Sequence, residues 1–378
     1  MHCSGTRWLT FLLAMMAAGA VPLAQTFAQP AKPITAEADD ADADDSSDSG
    51  ENADTDIRSD PDDDTVGLLP DRLPPRALEQ MAAYAKEAGD GHGFVTARNL
   101  AWTTRDVSIA FQAGDGLSDY YPLIEAAAKE WLDPNIRFYM SFRKPDGSFR
   151  TWSPGDHTAA GTIRVAFDHN GSWSLIGKEA LASTLRPGER TMNLELGPVM
   201  LSGGAHLSRS DRLTVLHEFG HALGLAHEHY HSQCQAELKF EPDPGYIETR
   251  VPGSEGAPAF MADPQGRSPG IYKAMAGAPN FWDRGSIQTN YQWSTFSRQT
   301  GLRMEGALRG AVTTTANGDP GFAQSPEIDR SSIMLYPMAS FLLKSGRNSV
   351  CKFVQQGTGV QLSAMDRQAF ANLYTKRN

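Results

Sequence analysis

The chain has 378 residues, 40% of them apolar and 9% aromatic, enough for one sizeable core or two smaller ones. Its formal charge of -11 is concentrated in one stretch: between Glu37 and Asp64 there are fourteen acidic residues and one base, Arg58. That stretch carries -13, so everything else sums to +2, and a near-neutral folded part gives no electrostatic basis for binding nucleic acid.

In chain order, Arg7 followed by the apolar run from Trp8 to Ala24, with small residues at Ala24 and Ala28, predicts a cleaved export signal over 1–28. The run is short for a span and contains Gly19 and Pro22. The expectation is a secreted or periplasmic protein without stable membrane association once the signal is removed. Cys3 leaves with the signal, so Cys234 and Cys351 remain and can pair in an oxidising compartment. Residues 29–70 are rich in Asp, Ala, Ser and Pro and nearly free of large apolar side chains, which predicts a disordered acidic segment. Besides a solvated spacer, this tract has two sharper readings, a weak calcium-attracting tract or a pro-segment. One of its carboxylates could then cap a metal before activation, although the sequence singles out none.

A helical pre-segment is expected over 71–100, built on the amphipathic stretch Pro74 to Ala88 behind a proline start. The main domain, 101–378, then begins. Val107–Phe111, Ile136–Phe142, Ile163–Phe167, Trp173–Ile176 and Thr191–Leu196 have strand patterns, with a helix over Leu123–Leu132 before Pro134. Ser210 is expected to cap a helix from Asp211 through Ala222, and Ser363 one that ends at Tyr374. The fold class expected is α+β. Beyond Glu228 nearly a hundred Gly-, Pro- and Ser-rich residues predict irregular structure, with Phe281-Trp282 as a local core anchor.

The stretch HEFGHALGLAHEH carries the chemistry. His217 and His221 are four residues apart, so on a helix both imidazoles leave one face and reach one ion. Glu218 then lies beside the metal, where it can take a proton from a bound water. Gly224 permits the sharp turn that brings His227 back as third ligand, leaving a fourth position open. The cofactor expected is one catalytic Zn2+. His229 and His231 lie beyond the ligand run, as surface or supporting histidines.

Over a hundred residues downstream, Ser332-Ile333-Met334-Leu335-Tyr336 matches the methionine turn that accompanies this histidine pattern. With both motifs present, the chain resembles the metzincin zinc peptidases, and within them the astacin-like enzymes, especially their bacterial relatives. His227-Glu228 fits the astacin form, and Tyr336, two residues after the methionine, matches its mobile tyrosine. The resemblance spans roughly Trp102 to Tyr374. It implies a twisted, mostly parallel five-stranded sheet, an active-site helix and an irregular C-terminal subdomain ending in a helix. It further implies Trp173, Ser174, Leu175 and Ile176 as the substrate-binding edge strand, Tyr336 as oxyanion stabiliser and Met334 as an apolar floor under the imidazoles.

Three departures stand out. Leu335 replaces the usual histidine of the turn, HYHSQCQ follows Glu228, and any Cys234–Cys351 bridge would lie outside the usual cysteine framework. The function implied is a monomeric zinc endopeptidase acting on a protein or peptide substrate. The alternatives are a zinc-containing binding or adhesion protein without proteolytic activity, and a zinc hydrolase of another substrate class.

Overall fold

The computed structural model describes residues 71–87 and 100–375, apart from positions 170, 202, 253–256, 301–303, 308–312, 315–321 and 355–359. The expected export signal and the acidic tract lie outside the described residues. Among those described, no helix is long and apolar enough to cross a membrane.

The central sheet uses β1 (Asp106–Gln112), β2 (Tyr139–Ser141), β3 (Thr151–Trp152), β4 (Ile163–Ala166), β5 (Trp173–Ser174) and β6 (Met192–Asn193). Its order is β2-β1-β4-β6-β5, and β3 also pairs with β1. All pairings are parallel except β5 with β6, which puts the antiparallel strand at an edge. The five expected strands are all present, but the sheet has six. Thr151–Trp152 is the addition, too short at two residues to show an alternating pattern. Trp152 is held by its indole N–H, which donates to the Val165 carbonyl at 2.8 Å.

Against the sheet packs α2 (Tyr121–Ala128), continued by a 3-10 turn to Trp131. Beside it lies α3 (Arg209–Ala222), the long helix that carries the histidine motif. Its cap is Ser208 rather than Ser210: the Ser208 hydroxyl accepts the Asp211 N–H at 3.1 Å, two residues earlier than the sequence suggested. Three aromatic donors grip the carbonyls of this helix. Trp131 donates to Leu216, Trp102 to Ala222 and Tyr374 to Leu223, all within 2.9 Å. The last two satisfy C-terminal carbonyls that would otherwise be buried without partners. The helix is thus clamped by the chain's first core tryptophan and its last core tyrosine.

The segment after the motif is more regular than expected. It holds α4 (Ser232–Glu237), the hairpin β7 (Thr249–Pro252) with β8 (Pro258–Met261), and the helices α5 (Gly270–Ala276), α6 (Arg284–Tyr291) and α7 (Trp293–Thr300). A small sheet follows, β9 (Met304–Ala307), β10 (Thr313–Thr314) and β11 (Phe322–Gln324), and the terminal α8 (Ala364–Tyr374) closes the described chain. These helices are seven or eight residues long in the Gly- and Pro-rich part, too short for an apolar stripe to repeat. Trp282 is buried as expected of a core anchor, whereas Phe281 is 45% exposed.

Cys234 and Cys351 form a disulfide with their Cα atoms 4.9 Å apart, closing a loop of 117 residues. In the chain-entropy account, a loop of that size stabilises by about 4–5 kcal/mol.

Helix α1 (Pro75–Glu87) is not detached from the domain. Ala77 and Met81 are buried in one cluster with Leu100, Trp173, Ile176, Tyr230 and Phe296. Beside this cluster Glu179 is fully buried; one carboxyl oxygen accepts the Ile176 N–H and the other has no partner. Burial raises its pKa to about 8, so it folds as the neutral acid. The folded state therefore binds this proton more tightly than the unfolded chain, and stability falls as pH rises from about 4.5 towards 8. Replacing the acid with its neutral isostere, Glu179→Gln, is expected to flatten that slope by up to a few kcal/mol. Denaturant midpoints measured across that range check it; parallel slopes in variant and parent would count against a neutral Glu179.

Candidate metal centre

Helix α3 places His217, Glu218 and His221 in the interior, each 7% exposed or less. Gly224, at φ 100°, ends the helix in a backbone conformation that side chains disfavour, and the chain returns through Leu225 to His227. The rings are oriented by carbonyls. His217 Nδ1 lies 2.8 Å from the Ile333 oxygen and His221 Nδ1 lies 2.8 Å from the Leu225 oxygen. A carbonyl only accepts, so each Nδ1 carries the proton and each Nε2 turns a lone pair inward.

Those lone pairs meet. His221 Nε2 and His227 Nε2 are 3.1 Å apart, and a fourth group, the carboxylate of Asp71, sits against all three rings. Its oxygens lie 3.3 Å from His217 Nε2, 3.0 Å from His221 Nε2 and 2.8 Å from His227 Nε2. Donor atoms bound tetrahedrally at about 2.0–2.1 Å from one ion lie about 3.3–3.4 Å apart, close to this spacing. His217 Nε2 is buried and faces only the Asp71 oxygen 3.3 Å away, open to a cation between them. The donor set fits a divalent transition metal, and Asp71, His217, His221 and His227 form a buried group able to hold one.

Asp71 is fixed by its backbone as well. Its N–H donates to the Tyr336 hydroxyl at 2.9 Å, and the next amide, of Arg72, donates to the Ser172 carbonyl at 3.0 Å. Ser172 immediately precedes edge strand β5. Burial works against ionisation of Asp71, but its interactions with the surrounding His217, His227 and His221 imidazoles outweigh it and hold its pKa well below the usual carboxylate value. Glu218 behaves oppositely: burial, then the neighbouring Asp71 carboxylate, push its pKa well up, and one of its oxygens has no partner. Tyr336 stacks on His229 with ring centroids 4.4 Å apart and lies 4.6 Å from His227. Burial, then Asp71, raise its phenol pKa.

The methionine turn acts through its carbonyls. Ile333 holds His217, and Met334 accepts the Glu228 N–H at 2.8 Å. The turn is in turn pinned by Asp366 of α8, which accepts the Ser332 hydroxyl at 2.6 Å and the Ile333 N–H at 2.9 Å. Burial raises the Asp366 pKa to about 6. The sequence places Asp366 in the terminal helix, in a Ser363–Asp366 capping box, but carries no sign of its hold on the methionine turn. The Met334 sulfur lies against Gly220, where an added Cβ would come within 2.4 Å of it. Leu335 is buried in the C-terminal core cluster and also borders the small cavity beside Glu218 and Tyr336.

His229 and His231 are both buried, with their Nε2 atoms on the Asn290 and Ser325 carbonyls at 2.7 and 2.9 Å. Burial lowers the His229 pKa to about 3, so it is a neutral support under Tyr336. Trp173 and Ser174 form β5; Leu175 and Ile176 follow it into the core cluster beneath α1. Asp71 escaped sequence reasoning because it stands beyond the acidic tract, with nothing local to set it apart from that tract's many carboxylates.

No family model matches the chain, and no curated protein matches it. Among solved structures, one of myroilysin aligns at 23% identity over 75% of this chain and 98% of that chain, with a TM-score of 0.42. A second aligns at 22% identity over 82% and 100%, with a TM-score of 0.35. At these values neither alignment bears on fold or activity, and the case for the site rests on its own geometry.

Elemental analysis of the purified chain is expected to find one equivalent of a divalent transition metal, and His221→Ala, still folded by circular dichroism, to lose it. Persistent absence of metal from the parent chain after equilibration with metal-containing buffer would sink the site.

Proposed function

We propose that the chain is an exported zinc-dependent endopeptidase of the metzincin type, astacin-like in its His227-Glu228 pair and in Tyr336, and held latent by its own segment at Asp71. The observation that carries this is the convergence of three imidazole lone pairs beside a buried carboxyl, Glu218, that is not itself among the grouped donors. Zinc bound by His217, His221 and His227 would supply Lewis acidity towards a carbonyl oxygen and lower the pKa of water.

The protein groups have separate tasks. Glu218, beside the three imidazoles, takes a proton from the attacking water and hands it to the leaving amine as the peptide C–N bond breaks. The Tyr336 hydroxyl, which now accepts the Asp71 N–H, is free to donate to the oxyanion once that segment is gone. The Ser172 carbonyl, now paired with Arg72, would accept an amide from an extended substrate and hold it along the β5 edge. Asp71 occupies the position a substrate needs, so residues 71–87 read as the end of a pro-segment.

The second reading, a binding or adhesion protein with a structural metal, is favoured by one observation: Asp71 supplies a fourth protein donor, which is how structural sites close. The two readings part on Asp71→Ala. In a latent peptidase this change in the full-length chain is expected to raise chelator-sensitive hydrolysis of a denatured protein well above the parent; in a structural site it only loosens the metal. Within the Asp71→Ala background, Glu218→Ala is expected to lower turnover by about a hundred- to ten-thousand-fold. Tyr336→Phe should lower it by about a hundred- to a thousand-fold with metal content unchanged. Undiminished hydrolysis in the Glu218 variant would remove the mechanism.

A further inference from the structure

Beyond the metal centre, the contact between α1 and the rest of the domain contains a built receptor for one side chain. The Arg76 guanidinium donates from Nε to one Glu189 oxygen at 2.8 Å and from Nη2 to the other at 3.3 Å. The same Nη2 donates to the Thr184 carbonyl at 2.8 Å. A planar fork thus meets a carboxylate and a carbonyl together, an arrangement that suits arginine better than lysine.

The receptor belongs to the domain rather than to α1. Glu189 accepts the Arg186 N–H at 3.1 Å, and its own carbonyl takes the Nε–H of buried Arg164 at 2.5 Å, which ties the loop to β4. The Glu189 side chain is 13% exposed with Arg76, itself 45% exposed, in place. Two further cations act on its carboxylate among the described residues: Arg186, 3.8 Å away on a side chain 83% exposed, and the buried Arg164. Glu189 also lines a cavity of about 720 Å3 with Trp152, Trp173 and the Gln80 and Asn290 side chains. Both polar atoms of the Gln80 amide and the Asn290 side-chain oxygen are themselves buried without hydrogen-bond partners. The chain therefore runs from Asp71 at the histidines, past Ser172 at the sheet edge, to Arg76 in this notch five residues on.

We infer that the Glu189–Thr184 notch is a guanidinium subsite of the cleft, vacated by Arg76 when the 71–87 segment leaves and then selecting substrates with an arginine several residues from the cut bond. The substrate role rests on the peptidase reading above; the notch itself does not. Arg76 is in this view a resident stand-in for the substrate's side chain, as Asp71 is for its carbonyl.

Two measurements on the full-length chain test this separately. In Arg76→Ala the notch is empty, and millimolar ethylguanidinium is expected to raise the melting temperature, by binding the native state alone. Ethylammonium should raise it less, and Arg76→Ala/Glu189→Gln should show no rise with either. Equal responses in the presence and absence of Glu189, or none in Arg76→Ala, would overturn the subsite. The second measurement uses Asp71→Ala/Arg76→Ala with peptides in which a single arginine is walked along the sequence and compared with glutamine. One position should be preferred by about tenfold in kcat/KM, and the preference should collapse when Glu189→Gln is added. Hydrolysis without any arginine preference would also overturn the substrate role. Hydrolysis of no peptide would count against the peptidase reading instead, and the melting measurement would still decide the notch.

Discussion

Everything about this centre depends on two hydrogen bonds from imidazole Nδ1 to backbone carbonyls, one at Ile333 and one at Leu225. They set the tautomers of His217 and His221, and so turn electron pairs towards a single buried point. Lone pairs and a carboxylate within about 3 Å of one another repel unless a cation lies between them. The two carbonyls lie at very different distances along the chain from the histidines they hold. Leu225 lies in the turn made possible by Gly224, and Ile333 is over a hundred residues away. The Ile333 carbonyl is placed by Asp366, so the terminal helix helps orient the histidine cluster without touching it.

The same economy governs the support of Tyr336. Its ring is carried by His229, a histidine kept neutral by burial and anchored on Asn290 of α6. The Gly-, Pro- and Ser-rich segment is therefore not merely a long connection. Its short helices wall the cleft, and the Cys234–Cys351 disulfide joins α4 to the stretch after the methionine turn. Both cysteines lie in one buried cluster with Leu335 and Tyr336, so the cross-link ties α4 to the core that backs the methionine turn.

The segment 71–87 occupies the cleft at three independent points. A carboxylate meets the histidines, a backbone amide meets the edge at Ser172, and a guanidinium meets Glu189. On the proposed reading, each stands in for a contact of an extended substrate: carbonyl oxygen to metal, amide to sheet edge, side chain to subsite. Apolar burial of Ala77 and Met81 adds affinity that does not depend on charge or metal. Displacing the carboxylate uncovers the three imidazoles, while α1 keeps its apolar contact with the domain.

What the sequence determined by itself was local and periodic. The spacing of His217, Glu218 and His221, the Gly224 turn back to His227 and the Ser332–Tyr336 turn are contiguous patterns whose geometry follows from one helix and two turns. The five strands, helix α1 and the Ser363 cap were legible for the same reason. The two-residue strand at Thr151, the Ser208 cap and the short helices beyond Tyr246 were not, because elements of that length carry no period. Asp71, Asp366, Glu189 and the anchored His229 were decided only by tertiary structure. Each is an ordinary polar residue in its own neighbourhood, and its role comes from partners far along the chain that folding brings within hydrogen-bond distance. Fourteen acidic residues precede Asp71 without any sign of which carboxylate would matter. Only its position, next to α1 and across from Ser172, sets it on the histidines.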